Sequence, residues 1–226
     1  MKKKTVIYIV ISLSSFTLVA QSPGANKDLW DSKSPFSIKV LGYHQLPKTI
    51  DFKGSFLQAL QWTDSQGENL LILSRNGWYE YPYNSKCVGP EEQTCFGGEL
   101  FAYRFIKTEK GYQKQWRIFD YLDQQSGGDF HINFINRSLS VTDLDQDQVA
   151  EISLAYDYAC RYDVSPATMK IITYEGDQKY AVRGATVYGN IGQKDNYKAD
   201  NALDEYPALK TFLTQKWNAF ADEAKR

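Results

Sequence analysis

Four acidic residues at regular spacing carry the strongest chemical signal in this chain. Asp143, Asp145 and Asp147 occupy alternate positions, and Glu151 follows four residues later. Carboxylates spaced in this way converge when the backbone curls around a hard divalent cation that takes oxygen ligands from all sides. The segment therefore predicts a cation-binding loop, with Ca²⁺ as the expected ion. The alternative is an ion-free acidic turn whose aspartates accept hydrogen bonds from nearby backbone N–H groups.

The residues after the loop indicate which kind of loop it is. An EF-hand would place its bidentate acid at the twelfth position, which here is Leu154. Apolar residues instead alternate from Ile152 to Tyr156, so the loop is expected to lead into a strand. The segment resembles the calcium loops of FG-GAP and VCBS repeats, except that Gln148 stands where those loops carry a glycine with positive φ. The predicted metal ligands are Asp143, Asp145, Asp147, Val149 and Glu151.

Catalytic motifs are scarce in the sequence. The chain has no Gly-x-Ser-x-Gly, His-Glu-x-x-His or phosphate-loop motif and only two histidines. Asp129 and His131 would share one face of a strand, as a base and its orienting carboxylate do, but a surface pair without catalysis is far commoner. A pair of glycosidase carboxylates could also be drawn from a larger set of acids: Glu80, Glu99, Asp120, Asp123 and Asp157.

The N-terminus predicts export. Lys2 to Lys4 precede an apolar run that ends at Ala20, which is the pattern of a cleaved signal peptide over residues 1–20. Residues 21–34 are polar and predicted to be a flexible lead-in, followed by a single domain over 35–226. No transmembrane segment is predicted, and the net charge of −1 argues against nucleic acid as a partner. We expect the protein in the periplasm or at the cell surface.

Three cysteines are present, which is an odd number for an exported protein. Cys87 and Cys95 flank a polar segment with a Gly-Pro breaker, and a disulfide between them is predicted. Cys160 lies on the inward side of the strand after the acidic loop. It is interpreted as a buried, unreactive thiol.

Short aromatic and β-branched runs separated by polar turns predict a mainly β fold. Two halves, about 35–125 and 126–190, have strand-like runs and turns in a similar order and at similar spacing. Each half is expected to be a four-stranded antiparallel unit like a propeller blade. Chance similarity between aromatic-rich hairpins is the alternative. Two such units cannot close a propeller, so they should pack on each other or side by side. In the first half the acidic loop is reduced to Asp64, Ser65 and Glu68, so one ion site is expected.

The C-terminal segment has helical instead of β periodicity. Apolar residues recur at helical spacing after Pro207, which predicts an amphipathic helix over about 206–224 that packs across a sheet. Aromatic residues make up 15% of the chain and are densest from Trp78 to Tyr83. Such rings can stack on sugar faces, although most of them should fill the sheets.

Several segments also resemble a family of exported proteins of Bacteroidota described as surface polysaccharide (lipopolysaccharide) biosynthesis proteins. The similarity lies in Val-Thr-Asp-Leu-Asp from Val141, Cys160-Arg-Tyr-Asp-Val-Ser-Pro, Met169-Lys-Ile-Ile-Thr-Tyr-Glu-Gly, Lys179-Tyr-Ala-Val-Arg-Gly-Ala-Thr and Lys210-Thr-Phe-Leu-Thr-Gln-Lys-Trp. The resemblance implies a role in surface polysaccharide assembly and supplies no catalytic residues. We therefore expect a Ca²⁺-stabilised protein that binds surface glycan or lipopolysaccharide. The alternative is a small glycan hydrolase or transferase that uses carboxylates.

Overall fold

A computed structural model describes residues 34–83, 87, 94–125 and 128–225 of the chain. The predicted signal peptide and almost all of the predicted lead-in lie outside these residues. No helix among the described residues is long and apolar enough to cross a membrane.

The fold is mainly β, with two antiparallel sheets and one C-terminal helix, which confirms the predicted class. The first sheet has five strands in chain order: β1 (Lys39–Leu41), β2 (Ser55–Asp64), β3 (Gly67–Pro82), β4 (Thr94–Thr108) and β5 (Gly111–Gln125). All neighbours in this sheet are antiparallel, and the turns at Asp64–Gly67 and Thr108–Gly111 form hairpins.

The second sheet contains six strands: β6 (Asp129–Phe134), β7 (Ser140–Thr142), β8 (Glu151–Arg161), β9 (Thr168–Glu175), β10 (Gln178–Ala185) and β11 (Tyr197–Ala199). Their order is β11-β10-β9-β8-β6, and β7 pairs with β8 beside β6. The helix α1 (Pro207–Phe220) follows, and three short 3₁₀ turns lie at Tyr43–Gln45, Asn201–Glu205 and Glu223–Lys225. The sheets therefore have five and six strands, where four were expected in each.

The strands of the first sheet are longer than predicted. The segments 70–74 and 77–82 belong to one strand because a bulge between Asn76 and Tyr79 lets β3 continue along β4. The Asn-Gly pair at 76–77 lies at this bulge. The long β3–β4 ribbon extends past the core and carries the aromatic cluster at its end.

The two sheets pack face to face. Their shared core alternates along the strands, as a half-buried sheet requires, with Leu60, Trp62, Leu100 and Ile118 from the first sheet and Ile152, Leu154 and Ile172 from the second. Trp116 of the first sheet stacks on Tyr174 of the second at 4.2 Å between ring centroids. Of the two arrangements predicted for the halves, packing on each other is the one observed.

Helix α1 covers the outer face of the second sheet. Leu209, Leu213 and Trp217 are fully buried against Met169, Ile171 and Val182. Lys216 is also fully buried, and its Nζ donates to Ser140 Oγ (2.7 Å) and to the Ser153 carbonyl (3.0 Å). Burial lowers the pKa of this amine well below its ordinary value.

Candidate metal centre

The acidic loop connects β7 to β8, and as predicted it leads directly into a strand. Its aspartates hold the loop closed through the backbone. Asp143 Oδ1 accepts from Gln148 N (3.3 Å), Asp145 Oδ1 from Asp147 N (3.3 Å), and Asp147 Oδ1 from Val149 N (2.7 Å). One oxygen of each carboxylate therefore shapes the loop, and the other oxygens are free of these bonds.

Two residues of the loop adopt left-handed backbone conformations. Gln146 has φ 64° and Gln148 has φ 68°, although neither is glycine. A residue with a Cβ costs about 1 to 2 kcal/mol in this region. Gln148 thus has the positive φ that glycine has in FG-GAP and VCBS calcium loops, at a cost in stability.

The carboxylates converge in two overlapping groups. Asp143, Asp145 and Glu151 form one, and Asp145, Asp147 and Glu175 form the other. In each group one oxygen of every carboxylate lies within 4.8 Å of the others. Asp145 belongs to both groups and is the centre of the cluster. Val149 lies within the same loop and could contribute only its main-chain carbonyl.

Glu175 is the member of the cluster that the sequence analysis missed. It ends β9 and stands directly opposite Glu151 in the β8–β9 ladder, so both side chains lie on one face of the sheet. Like charges directly opposite in a ladder destabilise it. Glu175 is distant from the loop in sequence, and only the register between the strands shows that this residue meets the loop.

Glu151 provides evidence for a ligand beyond the acidic cluster itself. The residue is fully buried, and its Oε1 accepts hydrogen bonds from Leu144 N (2.8 Å) and Tyr206 Oη (2.6 Å). Its Oε2 is buried and makes no hydrogen bond of good geometry to a described residue, although the Thr142 hydroxyl lies near enough to lower the pKa of Glu151. A buried carboxylate oxygen without a donor is costly, and a cation beside it would remove that cost.

The electrostatics of the cluster show the same deficit of positive charge. Burial, followed by repulsion from Asp145, Glu151 and Asp147, raises the pKa of Glu175 to about 7. Burial also raises the pKa of Glu151. Within the described part of the chain, none of the five acids forms a salt bridge with lysine, arginine or histidine. Five oxygen donors of this kind suit a hard cation such as Ca²⁺.

Turns from both sheets meet at this end of the molecule. Ser65 N in the β2–β3 turn donates to the Gln148 carbonyl (2.8 Å), and Asp64 Oδ2 accepts from Ala150 N (3.3 Å). Arg104 of the first sheet donates to the carbonyl of Gly176, the residue after Glu175 (3.2 Å). The cluster is therefore positioned by both sheets and not by its own loop alone.

The catalytic candidates Asp129 and His131 lie two residues apart in β6. The carboxylate that contacts His131 is Asp157, at 3.4 Å from Nε2, and Asp129 lies opposite Arg161 in the β6–β8 ladder. His131 lies in β6 and Asp157 in the antiparallel strand β8, so residues that are distant in sequence meet here. Asp120, another candidate acid, is held by Lys170 Nζ (2.5 Å) and Tyr156 Oη (2.8 Å).

The cysteines follow the predicted arrangement in part. Cys87 and Cys95 lie at disulfide distance, with their Cα atoms 6.1 Å apart. Cys160 is half-buried, and burial raises the pKa of its thiol, which disfavours the reactive thiolate. His131 points to the opposite face of the β6–β8 ladder, because Cys160 pairs with Phe130.

Comparison of the chain with protein-family models, curated proteins and solved structures finds no match.

Proposed function

We propose that this protein is an exported, Ca²⁺-stabilised β-sheet protein that supports surface polysaccharide or lipopolysaccharide assembly by binding glycan. The observation that supports the calcium part is the pair of overlapping three-carboxylate groups that share Asp145, one of which includes the fully buried Glu151. The glycan part is supported by exposed aromatic rings on the first sheet. We also propose that each half of the chain is related to a propeller blade.

The metal would act as a structural element in this account. Asp143, Asp145, Asp147 and Glu151 come from the loop and the start of β8, whereas Glu175 comes from β9. A cation bound between them would neutralise the repulsion across the β8–β9 ladder and fix the end of the second sheet. Because the loop also contacts Ser65 of the first sheet, the ion would strengthen the junction between the sheets.

The proposed location and role rest on the sequence. The lysine-rich start and apolar run of residues 1–20 support export, and the similarity from Val141 to Thr186 supports a role at the cell surface. Ca²⁺ outside the cytoplasm is abundant enough to fill sites of moderate affinity. Export and metal binding are therefore compatible.

The test is binding of the purified protein to extracted lipopolysaccharide and surface polysaccharide, in Ca²⁺ and in EDTA. We expect binding in Ca²⁺ that weakens in EDTA and in the Asp145→Ala variant. Absence of binding to every glycan fraction would refute the glycan role. Turnover of labelled polysaccharide that is lost in Asp129→Ala or in a variant of another candidate acid would instead establish the enzymatic alternative.

A further inference from the structure

The outer face of the first sheet is covered at one end only. Residues 46–56 pack over it through Leu46, Ile50, Phe52 and Phe56, which contact Ile72, Phe101 and Tyr103. Towards the other end, no described residue covers the aromatic side chains. Tyr79, Phe119 and Tyr121 are 39%, 42% and 56% exposed.

These rings continue a stack that begins inside the covered part. Buried Phe101 stacks on Phe119 at 5.2 Å with an interplanar angle of 18°, and Phe119 stacks on Tyr121 at 5.7 Å and 20°. The stack is held in place because its first ring is buried. Phe119 and Tyr121 thus present nearly parallel ring faces from alternate positions of β5.

Tyr79 is positioned on the same face by a glycine. Its register partner in β4 is Gly97, and a Cβ at Gly97 would lie 2.6 Å from the Tyr79 ring. The ring therefore lies directly on the sheet backbone, which only glycine permits here. The inner face of the Tyr79 ring is therefore against the sheet, and its outer face is accessible to solvent.

Two carboxylates, which can only accept hydrogen bonds, lie between the rings. Glu99 stands opposite Tyr121 and accepts from Asn76 Nδ2 (2.7 Å), while Asp123 accepts from Tyr81 Oη (2.6 Å). Both carboxylates are close enough to contribute, after burial, to a raised pKa of Tyr79. Each has used one oxygen in these bonds, so acceptor capacity remains on each.

We propose that this surface, the outer aromatic platform formed by Tyr79, Glu99, Phe119, Tyr121 and Asp123, binds an uncharged glycan chain. The inference rests on the proposed function and names the surface and the class of sugar. Sugar C–H faces stack on exposed rings, and sugar hydroxyls donate to carboxylates placed between them.

The charge of the platform selects this occupant over others. Among the described residues, the cation that packs on the platform is Arg117, whose guanidinium lies over the Phe119 ring at 5.4 Å. An anionic glycan would be repelled by this arrangement. An apolar protein surface would desolvate Glu99 and Asp123 without supplying donors.

The experiment is affinity electrophoresis of the purified protein in gels that contain dextran, mannan, galactan or, as the anionic probe, polygalacturonate. We expect retardation in at least one neutral gel and none in polygalacturonate. Phe119→Ala and Tyr121→Ala should each weaken the retention about tenfold, as loss of one stacking contact implies. The matched control is Tyr162→Ala, because Tyr162 is 51% exposed and lies at the end of the second sheet.

The outcomes separate this inference from the proposed function. Retention in a neutral gel that Phe119→Ala and Tyr121→Ala leave unchanged would overturn the platform and leave the glycan role intact. Retention by polygalacturonate alone would overturn the sugar class. Absence of retention in every gel, together with binding of extracted polysaccharide, would also overturn the inference, and absence of both would end the proposed function as well. Both variants replace exposed side chains, and an unchanged melting temperature verifies that they fold.

Discussion

Two acidic turns lie side by side at one end of this molecule, and they neutralise their charge in different ways. In the first sheet, the fully buried Asp64 carboxylate lies 3.8 Å from the Arg104 guanidinium, and Glu68 pairs with Lys107 at 3.1 Å. In the second sheet, Asp145 and its acidic neighbours have no basic partner among the described residues. The first turn supplies its own cations, and the second lacks them.

This difference indicates what each turn does for the fold. Arg104 is 1% exposed and bonds to Asn69 Oδ1, Gln66 Oε1 and the Gly176 carbonyl, so it joins the two sheets without any added ion. The second turn has the loop geometry to do the same from its side, and in our proposal a cation from solution takes the place of the arginine. A junction made by a side-chain cation is present in every solution, whereas a junction made by a bound ion depends on the concentration of that ion.

The largest effect is expected from removing the protein's own cation. Arg104→Met leaves Asp64 buried without its charged partner, so unfolding in urea should show a loss of about 3 kcal/mol. Added Ca²⁺ should not restore it, since the metal site lies in the other turn. Lys107→Ala is the matched control, because its ion pair is exposed and should contribute less than about 1 kcal/mol. Equal losses in the two variants would contradict this contrast.

A smaller effect of opposite sign is expected in the second turn. The raised pKa of Glu175, about 7, means that the folded protein holds a proton which the unfolded chain loses near pH 4.5. Without metal, stability should therefore fall as pH rises from about 4.5 to 7. Glu175→Gln should reduce this fall and, at pH 7.5 in EDTA, stabilise the fold by up to about 1 kcal/mol. Urea unfolding across this pH range checks the sign, and a rise in stability with pH in the same window would refute it.

The smallest effect concerns the backbone of the acidic loop. Gln148 has φ 68°, so Gln148→Gly relieves strain but gives the unfolded chain more freedom, with a net gain of about 0.5 kcal/mol. Calcium titration followed by calorimetry should also show tighter binding in this variant. Gln148→Ala is the control, since it shortens the side chain and keeps the strained φ. A gain in affinity for Gln148→Ala equal to that for Gln148→Gly would exclude the backbone as its cause.

Sequence reasoning identified those residues of the proposed metal centre that lie close together in the chain. Asp143, Asp145 and Asp147 could be predicted because their spacing along one loop determines where their carboxylates point. Glu175 could not, because it meets the loop only through the register of β8 with β9. Tyr206 and Arg104 approach from a helix start and from the other sheet, and no local pattern encodes such contacts.

The same limit applies to the aromatic residues and to α1. Aromatic density pointed to Trp78–Tyr83, yet the platform depends equally on Phe119 and Tyr121, whose exposure is set by how far residues 46–56 reach across the sheet. Lys216 falls on the buried side of an otherwise well-predicted helix, where Ser140 and Ser153 supply its acceptors. Periodicity predicts elements, whereas burial of single residues depends on what packs above them.

The central claim is that the second turn requires a cation which the first turn does not. The direct measurement is a thermal melt in EDTA and across a Ca²⁺ titration, for the wild type, Asp145→Ala and the control Asp51→Ala. We predict that the melting temperature of the wild type and of Asp51→Ala rises with Ca²⁺. The rise should reach about 5 to 10 °C at a hundredfold excess over Kd, where binding adds about 2.7 kcal/mol. Asp145→Ala should show no rise. A melting temperature that does not respond to Ca²⁺ in the wild type, or an equal response in Asp145→Ala, would contradict the account.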